Sequence, residues 1–246
     1  MIKAAFFDLD GTLVNSIGGL RASMNIVMNK LGFHEISENQ TKRYIGDGYA
    51  RFVERSLQAS ADKLYEKAEK AERKNPELAM ELEMQADDAL AAYDEACEEY
   101  LKAFEVHFMD DSGPYDGMTE TLEELKKRGI KMACITNKPE IATEKTLKTA
   151  GIRDYFSFIV CDDGVIPRKP DPAGCFKAME ALGVERDEVI YLGDTGTDMK
   201  TAVNAGFISV GCLYGFRDKK ELLANGAKYL IKEPKELIKL LDDYSI

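Results

Sequence analysis

Four short stretches of this 246-residue chain carry residue types that can do chemistry together. They are Asp8-Leu9-Asp10-Gly11-Thr12, Thr136-Asn137-Lys138, Arg168-Lys169-Pro170 and Gly193-Asp194-Thr195-Gly196-Thr197-Asp198. Brought to one place, they supply several carboxylates, a hydroxyl, an amide and an ammonium. Clustered carboxylates repel and raise one another's pKa unless a hard cation neutralises them. Mg²⁺ takes oxygen ligands and usually keeps waters, which suits Asp8, Asp194 and the main-chain carbonyl of Asp10. A phosphoryl group needs hydrogen-bond donors and positive charge, which Thr136, Asn137 and Lys169 offer. The set therefore describes a site for Mg²⁺ and a phosphoryl group. Taken singly, each stretch has an ordinary reading. Asp-Gly-Thr is a common turn, and Asp194 with Asp198 suits the start of a helix. Thr136-Asn137 reads equally as a strand exit, and Lys169 as a surface lysine between prolines.

What distinguishes the four stretches is where the elements place them. A short apolar run predicts a first strand over Ile2 to Phe7, broken by the turn at Asp10-Gly11-Thr12. From Ser112 onward, helices and strands alternate. Helices are expected over Met118 to Lys127, Pro139 to Ala150, Pro172 to Leu182 and Thr197 to Ala205. Strands are expected over Ile130 to Thr136, Phe156 to Val160, Val189 to Leu192 and Phe207 to Val210, with a further pair closing the chain. Repeated βα units argue for an α/β fold with a Rossmann-like, doubly wound, mostly parallel sheet. Ligands of such sheets gather at the carboxyl ends of strands, and all four stretches fall there. Asp162, Asp163 and Asp171, near Lys169, read as solvated loop residues.

Between the first strand and this alternation lies a helical block, read as an inserted all-helical cap domain with hinges near Asn15 and Ser112. The expected division is a core of residues 1–15 and 112–246, and a cap of residues 16–111. Leu20, Met24, Val27, Met28 and Leu31 form one face of a helix from Ser16, the expected cap, to Leu31, with Gly32 as its stop. Gly46-Asp47-Gly48 reads as a flexible loop opening another helix. Residues 61–108 read as nearly continuous helix, interrupted at Asn75-Pro76, where Asn75 suits an N-cap and Pro76 the first helical position. Leu78, Leu82, Ala86, Ala89, Tyr93, Cys97, Tyr100, Phe104 and Phe108 recur at helical spacing beyond it. That stripe packs on a neighbouring helix or, alternatively, forms a coiled-coil partner surface.

The net charge of −11 opposes nucleic-acid binding and attachment to anionic membranes. Its distribution says more than its sum. Residues 76–100 carry nine carboxylates and no Lys or Arg, so the remaining chain is near −2. The acidity marks a helical insertion, residues 61–100, and says little about substrate. Five scattered cysteines without a CxxC pair imply reduced thiols, and His34 and His107 lack metal-ligand spacing. No apolar run approaches a bilayer span, and Met1 to Phe7 is too short for a signal-peptide core. A cytoplasmic protein, monomer or homodimer, is expected.

The order DLDGTL, TN, K and GDTGTD resembles the four-part signature of the haloacid dehalogenase-like hydrolase superfamily. The helical insertion after the first motif looks like its C1 cap. YIGDGYARFVERSL and VGCLYGFRDKKELLANGAKYLI further resemble the phosphoglycolate phosphatase branch. Asn15-Ser16 departs from that branch, where Asp-Ser is commoner, and the likeness is silent over about 59–100. The resemblance implies that Asp8 is the nucleophile, forming an aspartyl-phosphate, and that Asp10 is the general acid and then base. It implies that Thr136 holds a phosphate oxygen, Asn137 positions nucleophile or substrate, and Lys169 neutralises charge shared by Asp8 and the phosphoryl group. Asp194 would ligate Mg²⁺, with Asp198 supporting the metal. In the cap, Arg43 and Gly46, beside Lys42 and Asp47, are expected to face substrate.

The implied activity is Mg²⁺-dependent hydrolysis of a small anionic phosphate ester such as 2-phosphoglycolate, the partner being a small phosphorylated metabolite. Inorganic pyrophosphate is the alternative substrate. Asp10 argues against dehalogenation, which lacks that second aspartate. Leu20 and its neighbours offer no histidine for a sugar-phosphate mutase, and nothing marks Lys30 or Lys42 as the Schiff-base lysine of a phosphonate hydrolase. A non-catalytic interaction protein using the acidic helix is the remaining reading.

Overall fold

The computed structural model describes residues 1–243; residues 244–246 of the expected core lie outside the described residues. The chain begins with β1 (Ala4–Phe7) and β2 (Val14–Asn15). Five helices follow: α1 (Ile17–Lys30), α2 (Glu38–Tyr44), α3 (Tyr49–Ala71), α4 (Pro76–Ala91) and α5 (Tyr93–His107). Then come β3 (Gly113–Pro114), α6 (Met118–Lys127), β4 (Lys131–Pro139), α7 (Glu140–Thr149), β5 (Phe158–Asp162) and α8 (Ala173–Leu182). The chain continues through β6 (Val189–Gly193), α9 (Gly196–Ala205), β7 (Ile208–Cys212), α10 (Lys219–Ala224), β8 (Tyr229–Ile231) and α11 (Glu236–Asp243). Two compact units result, one of Met1–Ser16 with the chain from Ser112 onward, the other of Ile17–Asp111.

In the first unit, six parallel strands pair in the order β5-β4-β1-β6-β7-β8. The α/β reading holds, and its physical basis is visible along β1. Ala5 and Phe7 turn to one face, packing with Leu122, Leu125, Leu147 and Leu237 from α6, α7 and α11. Ala4 and Phe6 turn to the other, against Cys175, Ala178, Ala202 and Ala205 from α8 and α9. A strand covered on both faces reads as an unbroken apolar run, because the two-residue side-chain period feeds two cores at once. The chain enters at the sheet centre with β1, moves outward through β4 and β5, then returns to β6 on the other side of β1. Strand order reverses there, which opens a crevice at the carboxyl ends of β1, β4 and β6. Val14 and Asn15 pair antiparallel with Pro114 and Gly113, so a small ribbon ties together the two chain crossings.

In the second unit, α3 and α4 form a hairpin. Ala61 and Leu64 of α3 bury against Ala86 and Ala89 of α4, with Phe33 and Leu82 at the edge. The small residues of the acidic insertion are thus covered within the unit, where alanines let two helix axes approach closely. The single helix expected beyond Pro76 is two. The chain breaks at Ala92 because α4 packs on α3 whereas α5 packs on α1. Tyr100 of α5 anchors an aromatic cluster with Tyr49, Phe52 and Phe104. Ser16 does not cap α1 as expected. Its hydroxyl is buried and finds no hydrogen-bond partner among the described residues, and the helix starts on buried Ile17, Gly18 and Gly19. Leu31 lies one residue past the end of α1.

Lys30 and Lys42, weighed as Schiff-base lysines, are engaged in surface ion pairs with Glu99 at 2.5 Å and Glu38 at 2.6 Å. No described helix is long and apolar enough to cross a membrane. The Asn75 side chain accepts from the Leu78 amide at 3.2 Å, with Pro76 opening the helix. Removing that cap should cost about 1 kcal/mol. Asn75→Ala should therefore lower the denaturant midpoint, and Asn75→Ser should restore most of it.

Candidate active site

The crevice receives side chains from each of the four stretches. Asp8 follows β1 directly, its amide donating to the Leu192 carbonyl at 3.0 Å, which locks the turn to β6. Asp194 follows β6, and Asp198 lies in the first turn of α9. Lys169 comes from the loop between β5 and α8, and its ammonium bridges Asp8 Oδ1 at 2.6 Å and Asp198 Oδ1 at 2.7 Å. These three side chains are nearly sealed from water, with exposures of 7% for Lys169, 9% for Asp8 and 1% for Asp198. Lys169 is therefore not the surface lysine that its flanking prolines permit.

Each group is held from behind. Thr195 caps α9 through a reciprocal pair of bonds: its hydroxyl donates to Asp198 Oδ2 at 2.6 Å and accepts from the Asp198 amide at 3.2 Å. With the Thr195 amide also on Oδ2 and Lys169 on Oδ1, Asp198 has both oxygens engaged. Asp194 accepts from the Thr12 hydroxyl at 3.1 Å and the Phe216 amide at 2.8 Å. It is also gripped by glycines. A Cβ built on Gly11 would lie 2.3 Å from Asp194 Oδ2, and one on Gly215 would lie 2.2 Å from Asp194 Cβ. Only glycine lets both loops close on this carboxylate.

Thr136 is buried in the second half of β4, where its hydroxyl accepts the Lys138 amide at 3.2 Å. Asn137 brackets the Lys169 backbone, its side chain accepting from the amide at 2.9 Å and donating to the carbonyl at 3.2 Å. It thereby fixes the loop that presents Lys169. Asp10 is the more open carboxylate, 22% exposed, and Lys138 Nζ donates to both its oxygens at 3.0 Å. Asp162, Asp163 and Asp171 have local work: an ion pair with Arg168, a turn at Val165 and Ile166, and the start of α8. Arg43 and Gly46 lie in the other unit, on α2 and the turn after it.

Several contributors have no assigned task in the sequence, Thr12, Thr195 and Gly215 among them, and two more show why. Lys138 was named with its stretch but given no task; its signal is parity, since residues two apart on a strand share a face and Thr136 already points to the crevice. The Phe216 amide has no readable signal, because any residue but proline supplies the same donor.

The electrostatics follow from burial. Asp8 is pushed from 3.8 to about 7, first by burial and then by Asp198, with Lys169 pulling the other way. Asp194 is raised well above the ordinary carboxylate range, again by burial first, then by Asp198 and Asp8. Burial alone would lower Lys169, but Asp198 and Asp8 outweigh it and hold the ammonium charged. Four carboxylates (Asp8, Asp10, Asp194, Asp198) face two ammonium groups (Lys138, Lys169), leaving two negative charges when all are ionised. Carboxylate oxygens of Asp8, Asp194 and Asp198 lie within 4.8 Å of one another. An all-oxygen donor set with a deficit of two positive charges fits a hard divalent cation. Because Asp198 is engaged by Lys169 and Thr195, Asp8 and Asp194 are the better placed direct ligands.

The parallel sheet, with its buried carboxylates and lysine at the switch point, defines a doubly wound α/β protein with an acidic, all-oxygen site at the carboxyl ends of its central strands. A family model of haloacid dehalogenase-like hydrolases matches residues 5–212. A phosphoglycolate phosphatase from Thiobacillus denitrificans is 35% identical over 216 residues, 87% of this chain and 85% of that one. One from Aquifex aeolicus is 26% identical, covering 100% of this chain and 99% of its own. The crystal structure of a predicted phosphoglycolate phosphatase from Haemophilus somnus 129pt superposes with a TM-score of 0.82 at 25% identity, covering 98% of each chain. The chain belongs to the haloacid dehalogenase-like hydrolase family. It is an enzyme, a hydrolase of the phosphatase type.

The raised Asp8 pKa sets a sign for metal linkage. Between 3.8 and about 7 the folded metal-free protein holds a proton that the unfolded chain has released, so its stability falls as pH rises through that window. A cation must displace that proton, so the thermal stabilisation given by Mg²⁺ should be small near pH 5 and reach its full size above about pH 7. Melting curves with and without MgCl₂ across that range check it. Gly215→Ala, which pushes on Asp194, should weaken metal affinity by about 10- to 100-fold, read by titrating Mg²⁺ against the melting temperature.

Proposed function

We propose that this enzyme is a Mg²⁺-dependent phosphomonoesterase acting on small acidic phosphate esters, 2-phosphoglycolate first among them, through an aspartyl-phosphate on Asp8. The observation that carries the reading is the Lys169 ammonium clasped between Asp8 and Asp198 beside Asp194. An anionic nucleophile attacks an anionic ester only where positive charge is built in, and here it is built in at the nucleophile itself. The names of the relatives support phosphoglycolate over pyrophosphate.

In this reading, Asp8, Asp194 and the Asp10 carbonyl hold Mg²⁺, with Asp198 supporting it by anchoring Lys169. Bound there, Mg²⁺ supplies the positive charge that lets phosphoryl oxygens and the Asp8 carboxylate approach. Asp8 attacks phosphorus in line while the bond to the ester oxygen breaks, and Asp10 gives its proton to the departing alkoxide. A water then attacks phosphorus and Asp10 takes its proton, so the acyl-phosphate bond breaks, Asp8 recovers its electron pair and inorganic phosphate leaves. Thr136 donates its hydroxyl to a phosphoryl oxygen, and Asn137 keeps Lys169 in place through the loop backbone. The unit of Met1–Ser16 and the chain from Ser112 onward acts as the catalytic core. The unit of Ile17–Asp111 acts as the cap, with Arg43 and Gly46 as its substrate-binding residues.

Phosphate release from a panel of esters, with Mg²⁺ present, tests this. Turnover of 2-phosphoglycolate should exceed that of pyrophosphate. Asp8→Asn and Lys169→Ala should each lose at least about a thousandfold in kcat. No release from any ester, or an Asp8→Asn enzyme as active as the parent, would overturn the reading.

A further inference from the structure

Lys138 is a buried lysine, and neither the metal nor the phosphoryl group needs it. It is 9% exposed, and its ammonium sits on both oxygens of Asp10, 128 residues away in the chain. Its backbone is fixed as deliberately as that of Lys169. The Lys138 amide donates to the Thr136 hydroxyl, and the Thr143 hydroxyl, itself fully buried, donates to the Lys138 carbonyl at 3.2 Å. The register between β4 and β5 shifts between Ile135 and Pro139, which frees this strand end from the regular ladder. Fold stability gives little reason for the pair, since two apolar side chains of similar volume usually serve a buried site as well.

Asp10 is the residue that faces the leaving group in the proposed reaction, and it is the most open of the four carboxylates. An ammonium bound to it lies on the leaving-group side of the site, whereas Lys169 lies on the nucleophile side. We propose that Lys138 is a specificity-determining residue that binds a carboxylate carried by the leaving group next to the scissile ester oxygen. The Lys138 ammonium stays on Asp10 until the substrate carboxylate takes over part of its hydrogen bonding. An ammonium has three donors on a flexible stem and can share them between two carboxylates. A leaving group without an anion leaves Lys138 on Asp10 and gains nothing from it. The preference for small acidic esters is thereby written into the sheet unit, at one lysine of β4.

The inference rests on the proposed esterase reading, so its test is a binding measurement that requires no turnover. The probe is 3-phosphonopropionate, in which a methylene replaces the ester oxygen of 2-phosphoglycolate. The control is propylphosphonate, which has the same length and no carboxylate. Calorimetric titration of the Mg²⁺-loaded full chain should show tighter binding of the carboxylate probe. Lys138→Met should weaken that probe by about 10- to 100-fold, the worth of a charge-assisted hydrogen bond, and change propylphosphonate by less than about threefold. Equal losses for the two probes, no loss for either, or failure of the parent to bind 3-phosphonopropionate would each overturn the proposal. Should Lys138→Met not fold, the double variant Lys138→Met/Asp10→Asn removes both charges of the pair and gives the same comparison of probes. Lys138-dependent binding without hydrolysis of any ester would overturn only the esterase reading. Hydrolysis without Lys138-dependent discrimination would overturn only this one.

Discussion

Carboxylates drawn from stretches nearly two hundred residues apart are packed together out of water, and like charges so placed repel strongly. Burial first, then the neighbouring carboxylates, push Asp8 up to about 7 against the pull of Lys169, and push Asp194 well above its ordinary range. The fold tolerates this because Lys169 is buried with them, bridging Asp8 and Asp198. Removing positive charge from such a cluster would leave uncompensated buried anions, a far larger penalty than any surface pair represents. The remaining deficit of positive charge is what suits the site to a divalent cation.

The sheet makes that balance possible. Only at the centre of a doubly wound sheet do the ends of three adjacent strands diverge enough to admit side chains from several loops, while both faces stay covered by helices. Asp8 follows β1, Asp194 follows β6, and β4 carries Thr136, Asn137 and Lys138. The supporting contacts are of a different kind from the charged ones: glycine contacts at Gly11 and Gly215, a main-chain amide at Phe216, and a capping box at Thr195. They aim the charged groups and prevent them from relaxing apart. Preorganisation of this sort lets charged groups act without rearranging during the reaction.

The helical unit obeys simpler rules. Its acidic insertion buries alanines in a hairpin and turns its carboxylates to water, so most of the net charge of the protein belongs to a solvated face. Its order rests on helix packing and an aromatic cluster around Tyr100 rather than on charge.

Much of this was legible in the sequence because the physics was local. Strand and helix alternation after Ser112, the Asn75-Pro76 helix start and the apolar run of β1 follow from periodicity, capping and breaker residues, and they stand within a few residues of the expected bounds. The four chemical stretches were legible for the same reason, since each lies in or after the carboxyl-terminal part of a strand. Tertiary structure alone decided what depends on partners distant along the chain. Ser16 lost its capping role to burial, and one expected helix became two because α4 and α5 pack on different neighbours. Asp198 became an anchor for Lys169, and Lys138 turned onto Asp10. A pattern of residues fixes which groups arrive at a strand end, but distances of a few ångströms between their charged atoms arise only when the whole sheet closes, and those distances determine which group neutralises which.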